Sequence, residues 1–493
     1  MRPARLAPAL CGAAILLVAI AWRRGGEYDE FYSVFLVAGH PRPDWPALPF
    51  GAGAARAFYR GHAGFGAIAT GLRRGDVHPP LYFWLLSLWR DALGVGLFRL
   101  RLLSVVETLG ALALLGRIAL RMGISPSLTI AITTLFYGFA YTGIVARDFA
   151  LATLCAMAGT LLAIDAARGG SARAGFCAGA LLGAACFSNY LASFTAVAVG
   201  LWLAWMTWRQ WRVWLAAALG GAAFLPAGLW FFLAQAGSRR GQFPPFRLAP
   251  ALGALARDQA GALLGALPRE VPAAFAMPVA AVLGVGLAGL LILVLHDGRR
   301  ALGRDDRALL AAGFAAPPLG LLALGAAFGN QPFEMRYVWL GLPFAGLALA
   351  ASLRRRPWAL AASLAVGATS IAGLALSPAT MQPAARMVRA AARLPAGTLV
   401  IVPFGNDGVG VPGPFVAAAP AQMHILVARA AGAALLAAAR PYPRIAVARI
   451  EADGASRALV PRLAALFKAA PCWHSAPAGP LLAVFANTCR ERR

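Results

Sequence analysis

Long apolar runs dominate this chain from its first residues to about residue 377, and short polar turns separate them. The runs are continuously hydrophobic. They show neither the alternation of a half-buried strand nor the one-sided stripe of a surface helix. Runs of this length read as membrane spans, and each must be helical because lipid offers no partner for backbone polar groups. The runs lie at 5–22, 102–120, 124–144, 147–166, 173–187, 190–207, 212–234, 276–296, 308–328, 336–352 and 358–377, which predicts about eleven transmembrane helices.

The first run follows Arg2 and Arg5. Ala19-Ile20-Ala21 fits a signal-peptide cleavage site. An uncleaved anchor is the preferred reading, because Arg23-Arg24 sits just past that site in a chain otherwise built of spans. Residues 23–80 are polar and rich in Pro, Gly and Asp, and cannot span. Residues 81–97 are apolar but short, and Arg90-Asp91 interrupts them. With Tyr82, Phe83, Trp84 and Trp89 they predict an interfacial or re-entrant helix, so that 23–101 forms one long first outer loop.

Loop charge orients the spans. With the N-terminus inside, the inner loops carry Arg117 and Arg121, Arg168 and Arg173, Arg209 and Arg212, Arg299, Arg300, Arg304 and Arg307, and Arg354 to Arg356. The outer turns carry Arg147, none at Ser188-Asn189, and Arg336. The outer loop 235–275 is the exception, with Arg239, Arg240, Arg247, Arg257 and Arg269, but longer loops obey the positive-inside rule less strictly. Counting 81–97 as a span would invert this bias.

The pattern changes after the last span. TLVIVPF (398–404), RIAVARI (444–450) and LLAVF (481–485) read as strands, and 455–467 reads as an amphipathic helix despite Pro461. Residues 421–439 are apolar, but Gln422, His424 and Arg429 favour a soluble helix over a span. The expectation is an all-α transmembrane module over 1–378 and a small extracytoplasmic α/β domain over 379–493.

Composition agrees. Of the 493 residues 60% are hydrophobic and 13% charged, about half the charged share of a soluble domain. The net charge of +26 comes almost wholly from Arg. Nucleic acid is not the implied partner, because these arginines are scattered between apolar runs and form no basic stripe. The lipid bilayer is. The richness in Ala, Arg and Gly suits a bacterial genome, which points to the inner membrane. Four cysteines lie in apolar runs. Cys472 and Cys489 lie in the C-terminal segment and are placed to pair if it is outside, although pairing is not legible from sequence.

No nucleotide loop, zinc-protease helix or nucleophile elbow is present. Five weaker polar motifs remain. Glu27, Asp29 and Glu30 follow the first span, in a chain with only 19 acidic residues. A carboxylate there suits a general base or a cation ligand; its plain reading is a solvated loop start. In Asp76-Val77-His78-Pro79-Pro80 the Pro pair fixes an extended turn, so Asp76 and His78 share a direction, toward phosphate or a divalent metal; the plain reading is a turn with a surface His. Arg147-Asp148 is either an interfacial ion pair or a phosphate clamp. Asn189-Tyr190 is a polar turn. Glu334-Met335-Arg336-Tyr337 admits the same two readings as Arg147-Asp148. All five fall on the outer side, where random scatter would divide them.

Together these motifs resemble the GT-C glycosyltransferases, closest to the protein mannosyltransferase and aminoarabinose transferase group, over residues 1–350. The resemblance implies transfer of a monosaccharide from a polyprenyl-phosphate donor to an acceptor hydroxyl on the extracytoplasmic face, with inversion. It implies Asp29 as catalytic base with Glu30 beside it, and Arg147, Arg336 and His78 at the donor phosphate. Asp76, Asp148, Asn189, Tyr190 and Tyr337 would line the substrate. Glu27 is an extra acid, and His78 is the only basic group at the Pro-Pro turn. A lipid or glycan flippase is the alternative. It predicts several ionisable residues at mid-span, whereas Glu107 is the clear mid-span acid here. A non-catalytic partner subunit would tolerate neutral residues at Asp29 and Arg147.

Overall fold

The computed structural model describes residues 6–235, 243–265, 267–376 and 383–489. Arg2, Arg5, Arg239 and Arg240 lie outside the described residues, as does the side chain of Arg269.

The protein is a multi-pass membrane protein with a small mixed sheet. Each of the eleven apolar runs is helical. Among the described residues, seven helices are long and apolar enough to cross a membrane. Two further runs are each a bent pair, Pro126–Thr134 with Tyr137–Ile144 at 78° and Trp211–Ala222 with Leu225–Gln235 at 44°. The last two, Ala172–Ser188 and Ala192–Met206, are shorter apolar helices. Residues 81–97 give only the 13-residue helix Leu81–Leu93. The long loop 235–275 carries a helix of its own, Leu248–Leu264. Its central Arg257-Asp258-Gln259 masks an apolar face, on which Ala262 packs close to Gly138.

The chain divides into two compact units. The first comprises 1–23, 72–89 and 98–377, and the second 24–71, 90–97 and 378–493. Within the first, helices approach closely through small residues. Without a hydrophobic drive between helices in lipid, backbone proximity supplies the packing. Gly175, Gly179 and Gly183 recur every four residues along Ala172–Ser188 and face Trp211–Ala222. A β-carbon at Gly179 would lie 2.6 Å from the Ala217 carbonyl carbon. Buried Arg101 donates to the Ala21 carbonyl at 2.9 Å, tying the helix Leu97–Arg121 to the end of Leu6–Arg23.

The second unit is built on a six-stranded sheet of β1 (Phe50–Gly51), β2 (Thr398–Pro403), β3 (His424–Ala428), β4 (Arg444–Ala448), β5 (Trp473–Ala476) and β6 (Leu482–Asn487). The order is β1-β3-β2-β4-β6-β5. β2 runs parallel to both β3 and β4, and the remaining pairs are antiparallel. β2 is buried on both faces, as a central parallel strand must be. The helix Gly454–Ala469 covers one face with Leu463 and Phe467, and its N-cap Asp453 forms a capping box with Ser456. The single helix expected over 421–439 is a strand followed by a short helix, Ala433–Ala439. The run Ile425 to Ala428 is buried throughout, so it lacks the period-2 signature.

The long segment after the first helix supplies part of this unit. β1 pairs antiparallel with β3, Phe50 opposite Ile425. Trp45 donates to the Gly408 carbonyl at 2.6 Å and Tyr59 to the Gly413 carbonyl at 2.9 Å. The Arg90-Asp91 interruption acquires a purpose here. Buried Arg90 donates to the carbonyls of Val37 and Tyr59, and Asp91 pairs with His62 at 3.0 Å. Cys472 and Cys489 form a disulfide that joins the start of β5 to the end of β6.

Candidate functional site

In the first unit, three of the sequence motifs converge. Arg147 and Asp148 occupy the break between the helices Tyr137–Ile144 and Phe149–Gly169, both buried. The Asp76–Pro80 turn brings His78 against them: its Nδ1 lies 2.8 Å from the Asp148 carboxylate, and its Nε2 lies 3.8 Å from Asp76. Arg147 stands 3.7 Å from Asp76 and 5.7 Å from the centre of the Phe83 ring. Of these contacts His78–Asp148 is the shortest, and it is an ion-pair contact: neither Asp148 carboxylate oxygen meets hydrogen-bond geometry with a partner among the described residues.

The Ser188-Asn189-Tyr190 turn closes on the same cluster. Ser188 donates to the Asp148 carbonyl at 3.1 Å. Tyr190 donates to Gln235 at 3.0 Å, and Gln235 in turn donates to the His78 carbonyl at 2.9 Å and the Leu72 carbonyl at 3.1 Å. Asn189 is 2% exposed and accepts from the Leu191 amide, while its Nδ2 has no hydrogen-bond partner among the described residues.

One neighbour of this cluster escaped sequence reasoning, and another was noticed there without being assigned to it. Gln235 ends an apolar run as a single polar residue, and that position was the only signal it gave. Glu107 drew notice as a lone mid-span acid. The structure sets it within electrostatic reach of Asp148, 3% exposed, and neither carboxylate oxygen has a hydrogen-bond partner among the described residues.

The fifth motif forms the 3-10 turn Met335–Gly341. This turn packs on the start of Phe149–Gly169, where Trp339 donates to Thr153 at 2.9 Å and meets the Phe149 ring edge-on. Arg336 forms its ion pair with Glu334 and lies 5.5 Å from the Tyr337 ring centre.

The acidic motif lies in the second unit. Asp29 is the N-cap of the helix Glu30–Val37 and is half-buried, without a side-chain capping bond. Glu30 is fully buried, and its Oε2 accepts from the Glu27 amide at 2.9 Å. Glu30 thus closes the turn on which Asp29 is presented. Among the described residues, no group of three or more His, Cys, Asp or Glu is arranged to hold a metal ion.

No protein-family model matches the chain, and no curated protein does. Several solved structures match over its length. ArnT from Cupriavidus metallidurans bound to undecaprenyl phosphate is 14% identical, with 99% of this chain and 98% of that one covered and a TM-score of 0.48. The same protein in its apo state gives 14% identity, 97% coverage of each chain and a TM-score of 0.49. The arabinofuranosyltransferase AftD from Mycobacteria gives 17% identity and a TM-score of 0.47, with 99% of this chain and 40% of that one covered. The fold stands on the helices and the sheet described above.

Proposed function

We propose that this protein is a membrane glycosyltransferase of the GT-C kind. It moves a monosaccharide from a polyprenyl-phosphate donor to an acceptor hydroxyl on the extracytoplasmic face of a bacterial inner membrane. The observation that carries the proposal is the constellation of Asp76, His78, Arg147 and Asp148, the last two buried and the first two partly so, drawn from two distant segments into one cluster among apolar helices. Charges at such a position are costly and mark function. The Cys472–Cys489 disulfide supports an oxidising, extracytoplasmic setting for the second unit.

Arg147 and Arg336 are assigned to the donor phosphate, because a planar guanidinium matches phosphate oxygens and stabilises charge that develops on the leaving group. His78, fixed by Asp148, adds a further donor, and Asp76 and Asp148 orient these cations. Asn189, Tyr190 and Tyr337 are assigned to substrate contact, with Asn189 Nδ2 as a buried donor in need of an acceptor. Asp29 is assigned as general base and Glu30 as the group that holds its turn. The acceptor oxygen attacks the anomeric carbon, the bond from that carbon to the phosphate oxygen breaks with its electron pair leaving on phosphate, and Asp29 takes the hydroxyl proton. Attack opposite the leaving group inverts the centre. Among the described residues no group of three or more His, Cys, Asp or Glu is arranged to hold a metal ion, and no step here uses one.

The test is release of polyprenyl phosphate from a panel of undecaprenyl-phosphoryl hexoses and pentoses by the purified protein, with a bacterial envelope extract supplying acceptor hydroxyls. Asp29→Asn is expected to slow release by about 10²- to 10⁴-fold with the fold retained. Wild-type transfer by that variant would sink the base assignment, and consumption of no donor by the wild type would sink the activity. A flippase would move labelled lipid across vesicles without breaking it.

A further inference from the structure

The C-terminal sheet contains a topological switch point. From β2 the chain passes to β3 on one side and then crosses to β4 on the other, both parallel to β2. Loops leaving the carboxyl ends of strands diverge at such a point and form the crevice where α/β sheets hold their ligands. The loop after β2 turns through Gly405 and Gly408, both at positive φ, and presents Asn406 and Asp407. The segment after β4 presents Asp453.

Two tyrosines of the second unit's own N-terminal segment reach these groups. Tyr28 donates to Asp453 Oδ2 at 3.2 Å, Tyr32 donates to Asp407 at 2.8 Å, and the two hydroxyls lie 3.3 Å apart. Asp453 divides its labour: Oδ1 accepts from the Ser456 amide at the helix cap, and Oδ2 also accepts from the Asn406 amide at 2.8 Å. Arg42 lies 3.4 Å from Asp407 and over the Tyr32 ring. Burial is the first cause that pushes both phenols above their ordinary range, and the nearby Asp407 charge adds to it, so both remain protonated donors. Tyr28 precedes the helix Glu30–Val37 and Tyr32 lies in its first turn, so the two bracket Asp29 and Glu30.

We infer that this switch point serves as a clamp on the acidic turn, with Asp407 and Asp453 as positioning residues that set Asp29 through Tyr32 and Tyr28. The inference rests on the reading of Asp29 as the base. The sheet's binding crevice is thereby used on the protein's own chain, and the C-terminal domain acts in the reaction through the placement of a carboxylate. The expectation is a kcat effect, since a displacement of about 1 Å in a reacting group costs up to about 10²-fold in rate.

The test uses the full-length protein in detergent. The variants are the double change Tyr28→Phe with Tyr32→Phe, which removes only two hydroxyls, and Asp453→Ser, which keeps an N-cap oxygen but lacks the reach to Tyr28. Both are expected to lower kcat on the donor that the wild type consumes by about 10- to 100-fold, with the donor KM within about twofold. Backbone amides over 28–37 are expected to exchange faster with deuterium, while those of β2 and β4 keep wild-type rates. Unchanged exchange over 28–37 overturns the clamp, whatever the transfer assay reads. Faster exchange with unchanged kcat, alongside an inactive Asp29→Asn, leaves the base standing and overturns the positioning role. An active Asp29→Asn removes the base reading, and exchange alone then decides whether the segment is clamped.

Discussion

Gly179→Ala tests the packing that frames the candidate site. The helix Ala172–Ser188 ends at Ser188, which holds the Asp148 carbonyl, so its contact with Trp211–Ala222 bears on the cluster. The added methyl would stand 2.6 Å from the Ala217 carbonyl carbon and 2.9 Å from its Cα, where ordinary contact begins at 3.4 Å. The obstruction is backbone, so no side chain can rotate away. The Ala217 carbonyl oxygen lies nearer still, so the helices must part by more than the 3.4 − 2.6 = 0.8 Å that the carbonyl carbon alone requires, which also loosens the contacts at Gly175 and Gly183. Overpacking of this kind costs about 1–3 kcal/mol. Gly200→Ala is the control, because nothing lies within 4 Å of its β-carbon position. There the substitution gains up to about 1 kcal/mol of helix propensity. Melting both variants in one detergent separates packing from propensity, and the expected order is Gly200→Ala, wild type, Gly179→Ala. A Gly179→Ala protein that melts with or above the control would refute the close backbone approach.

Other substitutions probe the two units separately. His78→Ala removes the near partner of fully buried Asp148 and should cost about 3–5 kcal/mol, part of which Asp148→Asn recovers in the same chain; purely additive losses would show that the two do not interact. Cys472→Ser with Cys489→Ser reopens a link across a sequence separation of 17 and should destabilise the second unit by about 3 kcal/mol, seen as faster amide exchange in β5 and β6. Gly405→Ala forces a side chain onto a residue at φ +74° and sets its β-carbon 2.6 Å from Asp453 Oδ2, so it should cost at least about 1 kcal/mol in a melt and disturb the Tyr28 contact.

The apolar runs were legible because a span must satisfy its own backbone and so announces itself by length. Their bends were not. The 78° break falls at Leu135-Phe136, where neither Pro nor Gly marks it, and it comes from tertiary packing. Convergence of His78, Arg147, Asp148 and Asn189-Tyr190 was legible only as a shared side of the membrane. Which atoms meet, and that Gln235 stitches Tyr190 to the His78 backbone, depends on helix contacts distant in sequence. In the sheet, β2 and β4 stood out as apolar β-branched runs. β1 has two residues, too few for any periodicity, and its identity comes wholly from pairing with β3.

That last pairing has a consequence for biogenesis. Gly51 pairs with His424, and a ribosome adding roughly 5–20 residues per second needs on the order of 20–75 s to make the intervening chain. For that interval the first loop has emerged while its partner strand does not yet exist. Its Trp45, Phe50 and Phe58 must be kept from aggregating by some other agent, such as a folding factor or the membrane surface. The C-terminal segment, expressed alone, would in turn present β3 as an open edge, the template on which sheets aggregate. Halves of the second unit produced separately should therefore be poorly soluble and should recover solubility when co-expressed.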